Sequence, residues 1–425
     1  MTSATQSATQ DDCIRFRGTA YRGDKGFWRG TQRSIPPEET LRRIRGCFPT
    51  AGITRLADIT GLDRIGIPTT LAIRPNGRTL SNSSGKGFTL EAALTSGAME
   101  AIELFHAEEC EVPYFRSAYD EIPERYARIP LDRLALARHA PFDPRWPFRW
   151  TPGWDLLNQC EVAVPLGLID MGRGAANLHD LFAFQITSNG LASGNNMLEA
   201  INAGLFEVIE RDAVTSHKVR WDMTHEHPPV IRLDTIEHPM VRELIDGLDD
   251  AGIGLALLDC SVDTDLPVYE AFLVDLVWQN VGVFKGYGAH LDPEIAMIRA
   301  ITEAVQGRVV YISGSRDDLF RHNEVHLRND VNDRAAIRMF EKMVPTVDAR
   351  GRRSEATPTF EGDTLAAMRK LEAAGIDQII VVDLSRDDFP VNVVKVVVPG
   401  LEGYMFDFYQ PGPRALAFAR SEIQR

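Results

Sequence analysis

The chain has 425 residues and a net charge of −14, with 44% hydrophobic and 25% charged residues. That is an ordinary globular composition, enough for one large domain or two to three smaller ones. The acidic balance argues against nonspecific binding to nucleic acid or an anionic membrane, and no apolar run approaches the roughly 18 residues of a spanning helix. The five cysteines, Cys13, Cys47, Cys110, Cys160 and Cys260, are scattered and show no CxxC spacing. They fit neither a zinc site nor a disulfide framework, and they read as reduced thiols of a cytoplasmic protein.

Taken in order, residues 1–12 are polar, lack the features of a secretory signal and read as a disordered tail. Pro36-Pro37-Glu38-Glu39-Thr40 opens a helix over about 38–47, with proline and acids in its first turn. IPTTLAIRP reads as a strand, and Asn76-Gly77 turns the chain into RTLSNSSGKG as a hairpin. The Gly85-Lys86-Gly87 tripeptide then precedes a helix from about 89 to 109. Its spacing is not that of a P-loop. Residues 112–160 have poor periodicity and read as irregular with short strands. The cluster Arg145, Trp146, Phe148, Arg149 and Trp150 reads as packed loop rather than a stacking surface for nucleic acid.

CEVAVPLGLI and FAFQIT read as strands leading into Asn189–Arg211, the most informative stretch. It begins as a Gly/Asn-rich turn and becomes a helix carrying Glu199, Glu207, Glu210 and Arg211. Glu207 and Glu210 are three apart and share a face. The residues between the acids are apolar on nearly every side, so this helix is buried and its carboxylates need a cation. The earlier helix repeats the pattern with Ser96, Glu100 and Glu103. Both run from a glycine-containing turn through Leu-Glu-Ala to Glu-x-x-Glu, which suggests a pseudo-repeat of two helices facing one site.

Further on, residues 238–252 read as a helix. GIGLALLDCS, PVYEAFLVDL and VGVFKGYGA read as an antiparallel meander. Asp292-Pro293-Glu294 caps a third helix that puts Arg299, Glu303 and Gln306 on one face. RNDVNDR, at 328–334, reads as a mobile loop. A helix at 362–375, the strands IDQIIVVDL and VNVVKVVVPG, and a C-terminal loop with a short helix complete the chain. No low-complexity linker interrupts it, so the expectation is one α+β unit of mixed, mainly antiparallel sheets. Its divisions are a tail (1–12), an N-terminal segment (13–60), a catalytic domain (61–410) and a C-terminal tail (411–425).

Three helices thus offer charged groups. Carboxylates converging in this number strongly raise one another's pKa unless a cation joins them. All-oxygen donors suit Mg²⁺, and arginine suits phosphate, so the residues point to a Mg-nucleotide site built without a P-loop. A di-iron reading of Glu103-Leu-Phe-His106 fails because no second ExxH follows Glu207 or Glu210.

SGKG, Ser96-x3-Glu100-x2-Glu103, SNGLASGNNMLEAINAGLFEVIERDA and Arg299-x3-Glu303 with Gln306 and Arg308 resemble the YcaO family. RGTQRSIPPEETL, GITRLADITGLDRIGIP, RPNGR and SGSRDD resemble its TfuA-associated subgroup. The resemblance covers roughly residues 28–410. It implies a YcaO-type domain that, with ATP and Mg²⁺ as its cofactors, phosphorylates a backbone amide oxygen of a peptide or protein so that a nucleophile can replace it. By position, it implies Glu100, Glu103, Glu207 and Glu210 as magnesium ligands. Lys86, Ser96, Asn195, Glu199, Arg211, Arg299 and Glu303 become nucleotide contacts.

For the subgroup it implies thioamide formation by a homodimer, with a TfuA-like partner and a sulfide donor. Azoline or amidine formation and a non-catalytic peptide-binding role are the alternatives. Two departures stand out. Leu104 follows Glu103 where the family has arginine, and the Pro-x-Pro-x-Pro terminus of azoline-forming members is absent.

Overall fold

The computed structural model describes residues 13–137, 142–172, 178–180, 182–278, 282–315, 330–403 and 409–421. The expected tail at 1–12 lies outside the described residues. Besides a one-turn helix at Phe48–Ala51, the helices are α1 (Pro37–Ile44), α2 (Leu90–Glu108), α3 (Met197–Thr224), α4 (Pro239–Asp250), α5 (Pro293–Ser313), α6 (Asp330–Lys342), α7 (Phe360–Ala373) and α8 (Pro413–Ser421).

Three sheets carry them. A three-stranded antiparallel sheet runs through Arg55–Asp58, Thr69–Ile73 and Asn82–Lys86. A seven-stranded sheet has Leu191–Gly194 at one edge, followed by Asn392–Val397, Ile380–Asp383, Phe148–Asp155, Cys160–Pro165 and Ala127–Arg128; Phe115–Ser117 also pairs with Phe148–Asp155. The five-stranded sheet runs Val283–Ala289, Val268–Asp275, Ile253–Asp259, Val230–Arg232, Pro345–Asp348. Its first three strands are the expected meander, because short connections join consecutive antiparallel strands. Parallel pairing occurs only between Cys160–Pro165 and Ala127–Arg128 and between Val230–Arg232 and Pro345–Asp348, among the described residues.

One local device recurs three times. An edge strand runs through a turn into a capped helix that packs back on it. Thr89 caps α2, Asn196 caps α3 and Asp292 caps α5, each accepting from a backbone N–H of the first turn. Close approach of strand and helix requires glycine. A Cβ on Gly85 would lie 1.9 Å from the Ala93 carbonyl oxygen, and one on Gly288 would lie 2.1 Å from that of Ala296.

The helices so held are mostly core. On α3 only Ala203, Glu207 and Arg211 keep partial exposure between Met197 and Arg211; on α5 Arg299, Glu303 and Gly307 do so between Ile295 and Val310. Four-residue spacing makes each set a single stripe. The apolar residues around these stripes belong to extensive buried clusters, with Leu198, Ile201, Leu205 and Ile209 on α3 and Ile298, Ile301 and Val305 on α5.

Several expectations are corrected. The stretch at 145–150 is loop only in its first half: Arg145, Trp146 and Pro147 are turn and loop, but Phe148–Asp155 is a strand inside the large sheet, with Phe148 and Trp150 fully buried. FAFQIT forms no strand, and Phe184 makes only an isolated bridge to Leu136. From Asp330 the expected mobile loop is the helix α6. The expected short C-terminal helix is present as α8 and is docked: Arg414 bonds both carboxylate oxygens of buried Asp212 at 2.9 Å, and Phe418 stacks edge-on against His217. No helix among the described residues is long and apolar enough to cross a membrane.

Candidate functional site

The three helices meet through their acidic stripes. Glu103, on α2, accepts hydrogen bonds from the backbone N–H (2.8 Å) and hydroxyl (2.6 Å) of Ser193, on the strand before α3. Arg211, on α3, lies 3.4 Å from Glu210 and 4.0 Å from Glu303 of α5, and over the ring of Tyr287. Lys86 reaches across from the first sheet to donate to Glu303 at 2.8 Å and Gln306 at 3.2 Å. Gln306 in turn donates to Ser84. Lys86, Glu210, Arg211 and Glu303 thus form one centre, and Glu103, with Ser193, faces it through its charge interaction with Glu207. Ser96 and Glu100 lie half-buried on α2, about two turns and one turn before Glu103.

A second cluster lies at the N-terminal ends of α3 and α5. Buried Glu199 accepts from the backbone N–H and hydroxyl of Ser34 (3.1 and 2.7 Å) and from Asn195 (3.1 Å), with Arg33 at 3.7 Å. Thr40 donates to the Asn195 side chain at 3.0 Å. Glu199, Arg33 and Arg299 line a polar cleft together with Gln32, Phe206, His290 and Phe360. Residues 32–40 come from the N-terminal segment. They are held there partly by the buried Lys25–Asp363 ion pair and by Gly23, whose N–H donates to Glu361.

The electrostatics divide the site. Burial, with Glu100 and Glu207 adding to it, pushes the Glu103 carboxyl up to about 8. Burial likewise pushes Glu207 up to about 7, against the pull of Arg211, and raises Glu210. Glu303 is partly buried too, yet Lys86 and Arg211 outweigh that and hold it below the usual range. The site therefore has more buried carboxylate than cation, the imbalance a bound metal corrects.

The donor set fits magnesium. Its acids offer only oxygen, and among the described residues no three acidic, histidine or cysteine side chains converge as a ready-made cage. A shared ion would then take one or two carboxylates from the protein and the rest from phosphate and water, the usual arrangement for Mg²⁺. Arg211, Arg299 and Lys86 suit the phosphates.

Other candidates fall away. His106 is buried on the far face of α2, where its Nδ1 meets the Ile102 carbonyl oxygen and its ring packs on Phe389; burial pushes it down to about 4. Leu104 points into the core, so that position makes no contact with the site. Ser193, Ser34 and Lys395 were missed in the sequence. Lys395 is a buried lysine in a strand of β-branched residues; burial lowers it to about 8, with Glu207 acting to raise it, and it donates to the Thr187 carbonyl oxygen. A lone lysine in such a strand is a usable signal, since an unpaired buried ammonium is costly.

Comparison with known proteins shows the family and the fold. The family described as YcaO cyclodehydratase, ATP- and Mg²⁺-binding, matches residues 84–402. A Rhizobium leguminosarum bv. trifolii protein encoded in the tfuA 3′ region is 34% identical over 412 residues, covering 92% of this chain and 93% of the relative. A Methanothermobacter thermautotrophicus protein is 33% identical over 392 residues, covering 90% and 98%. Among solved structures, YcaO from Methanopyrus kandleri bound with AMPPCP and Mg²⁺ is similar with a TM-score of 0.68 at 25% identity, over 92% of this chain and 99% of that one. A heterocyclase in complex with substrate and cofactor shares the fold with a TM-score of 0.75 at 23% identity, over 94% of this chain and 56% of that one. The chain belongs to the YcaO family, a family that binds ATP and Mg²⁺.

Proposed function

We propose that the protein uses ATP to activate a backbone amide of a peptide or protein, and that a sulfide equivalent then replaces the amide oxygen to give a thioamide. The observation that carries the reading is the three-helix centre of Glu103, Glu207, Glu210, Arg211, Glu303 and Lys86. Its surplus of buried carboxylate calls for magnesium, and its cations suit phosphate. The relative encoded beside tfuA supports the choice of sulfur and a TfuA-like partner that brings it.

In this reading Glu100, Glu103, Glu207 and Glu210 hold magnesium. Ser96, Asn195, Glu199, Arg211, Arg299 and Lys86 orient the nucleotide, with Glu303 aligning Lys86 and Arg211. Bound Mg-ATP supplies the phosphoryl group that makes the amide oxygen a leaving group. The bond from the γ-phosphorus to ADP breaks as the amide oxygen bonds phosphorus. Sulfide then adds to the amide carbon, and the carbon–oxygen bond breaks to release phosphate. Amide, ATP and hydrogen sulfide become thioamide, ADP and phosphate, with no change of oxidation state. The chain's part is to position the groups and stabilise charge.

Sulfur in this scheme comes from outside the chain. Cys47 and Cys260 are core residues, and burial raises the thiols of Cys47, Cys110, Cys160 and Cys260, Cys110 to about 12. High-pKa thiols are poor nucleophiles and poor carriers.

Mass spectrometry tests the reading. Protein with a TfuA-like partner, Mg-ATP, sulfide and a substrate peptide should yield a mass gain equal to the difference between sulfur and oxygen. Loss of one water instead would establish the second reading, azoline formation, which the family's description as cyclodehydratase favours.

A further inference from the structure

The polar cleft at the N-terminal ends of α3 and α5 contains one group that neither the metal nor the phosphates explain. His290 precedes α5, is buried and lines the cleft beside Glu199, Arg33 and Arg299. The backbone N–H of Asp292 donates to its Nδ1 at 2.9 Å. Nδ1 is therefore an acceptor and carries no proton, so the neutral ring holds its proton on Nε2. Burial keeps the ring neutral, and Arg299, Lys25 and Arg33 reinforce this against the opposing charge of Asp292. No described residue accepts a hydrogen bond from Nε2. The Gln32 carboxamide oxygen, on the same cleft, also has no described partner.

The nearby acids are already engaged. Glu199 takes hydrogen bonds from Ser34 and Asn195, and Asp363 from Thr357 and Lys25. Besides the guanidiniums of Arg33 and Arg299, the cleft offers a neutral donor and a neutral acceptor between two aromatic walls, Phe206 and Phe360. A hydroxyl, which both accepts and donates, satisfies the two together. Position gives the same answer. Along α3, Glu199 precedes Glu207 by eight residues, roughly 12 Å of helix; along α5, Arg299 precedes Glu303 by four, roughly 6 Å. The cleft thus lies one to two turns from the carboxylate centre, where the far end of a nucleotide would fall if its phosphates met Arg211, Lys86 and the magnesium ligands.

We propose that His290, through its Nε2–H, reads a ribose hydroxyl of the bound nucleotide and positions its nucleoside end. This rests on the nucleotide reading given under Proposed function. A purely structural His290 would matter only through Nδ1 and the turn into α5.

Two substitutions separate these roles. His290→Asn places an amide near Nδ1, keeping an acceptor for the Asp292 N–H and losing the cleft donor. His290→Gln places its amide nitrogen near Nε2 and loses the acceptor. Calorimetric titration of Mg-ATP and Mg-2′,3′-dideoxy-ATP into the wild type and both variants reads the difference, with circular dichroism checking folding. The wild type should prefer ATP by several-fold, on the order of one neutral hydrogen bond. H290N should bind ATP several-fold more weakly, bind the dideoxy nucleotide unchanged and so lose the preference. H290Q should keep it. Equal binding of both nucleotides by the wild type overturns the proposal alone, as does an undiminished preference in H290N. No binding of Mg-ATP by the wild type overturns the nucleotide reading itself.

Discussion

Two acids on α2, five residues apart, have opposite fates. Glu103 is pushed up to about 8, whereas Glu108, also buried, is held below its ordinary value. Burial acts in the same direction on both. Glu108 overcomes it because Arg74 donates at 2.8 Å and Thr79 donates from both backbone and hydroxyl. Glu103 has Ser193 and two like-charged neighbours. The contrast recurs on α5, where Arg308, fully buried, is closed off by Asp63 and Asp275. Asp275 ends below its ordinary value despite burial, drawn down by Arg64, backbone N–H groups and Arg308. These two structural ion clusters are neutralised internally. The candidate site is left short of positive charge, and that shortage marks where a cation and its ligand belong.

The largest expected effect breaks the unbalanced side. Glu207→Ala or Glu210→Ala should lower ATP turnover by at least about 100-fold, the scale of losing a transition-state contact. Melting temperature should stay level or rise, since a repulsive buried charge is removed. Unchanged turnover in both variants would refute the site assignment.

On the balanced side the pattern inverts. Asp275→Ala strands Arg308 and Arg64 without their shared carboxylate and should cost about 3–5 kcal/mol in a denaturant titration. A loss comparable to that of a surface substitution would mean the cluster is not a structural lock.

pH sharpens the same comparison. A carboxyl with a folded-state pKa above its unfolded value holds its proton more tightly when folded. Its contribution is complete below the unfolded pKa and disappears as pH rises through the folded one. With Glu103 near 8 and Glu207 near 7, nucleotide-free protein should lose thermal stability between about pH 5 and 8. Mg-ATP should flatten that dependence by replacing the protons with metal. A melting temperature that climbs over this range without nucleotide would contradict the charge imbalance. The smallest effect belongs to the exposed pair formed by Glu39 with Arg42 and Arg43 on α1: Glu39→Gln should leave the unfolding midpoint unchanged within error, because water already solvates those charges.

Much of this was legible in the chain itself. Apolar residues around nearly the whole circumference of α3 identified a buried helix, and its acids then required a cation. The cap at Asp292, the meander from Ile253 to Ala289 and the spacing of Arg299 and Glu303 follow from local rules of period and capping. Local rules failed where tertiary packing decides. Phe148–Asp155 has proline and glycine and little alternation, yet it is a strand because neighbouring strands pair with it along both edges. FAFQIT has strand-like residues but finds no ladder partner.

The sequence by itself determined which helices carry charge and on which face, since periodicity is a property of neighbouring residues. Only the tertiary structure decided which charges meet. Ser193 closing on Glu103, Lys86 crossing to Glu303 at 217 positions' distance and Ser34 reaching Glu199 all depend on long-range chain placement. So does the difference between Glu103 and Glu108: the two share a helix, burial acts in the same direction on both, and their distant partners separate them.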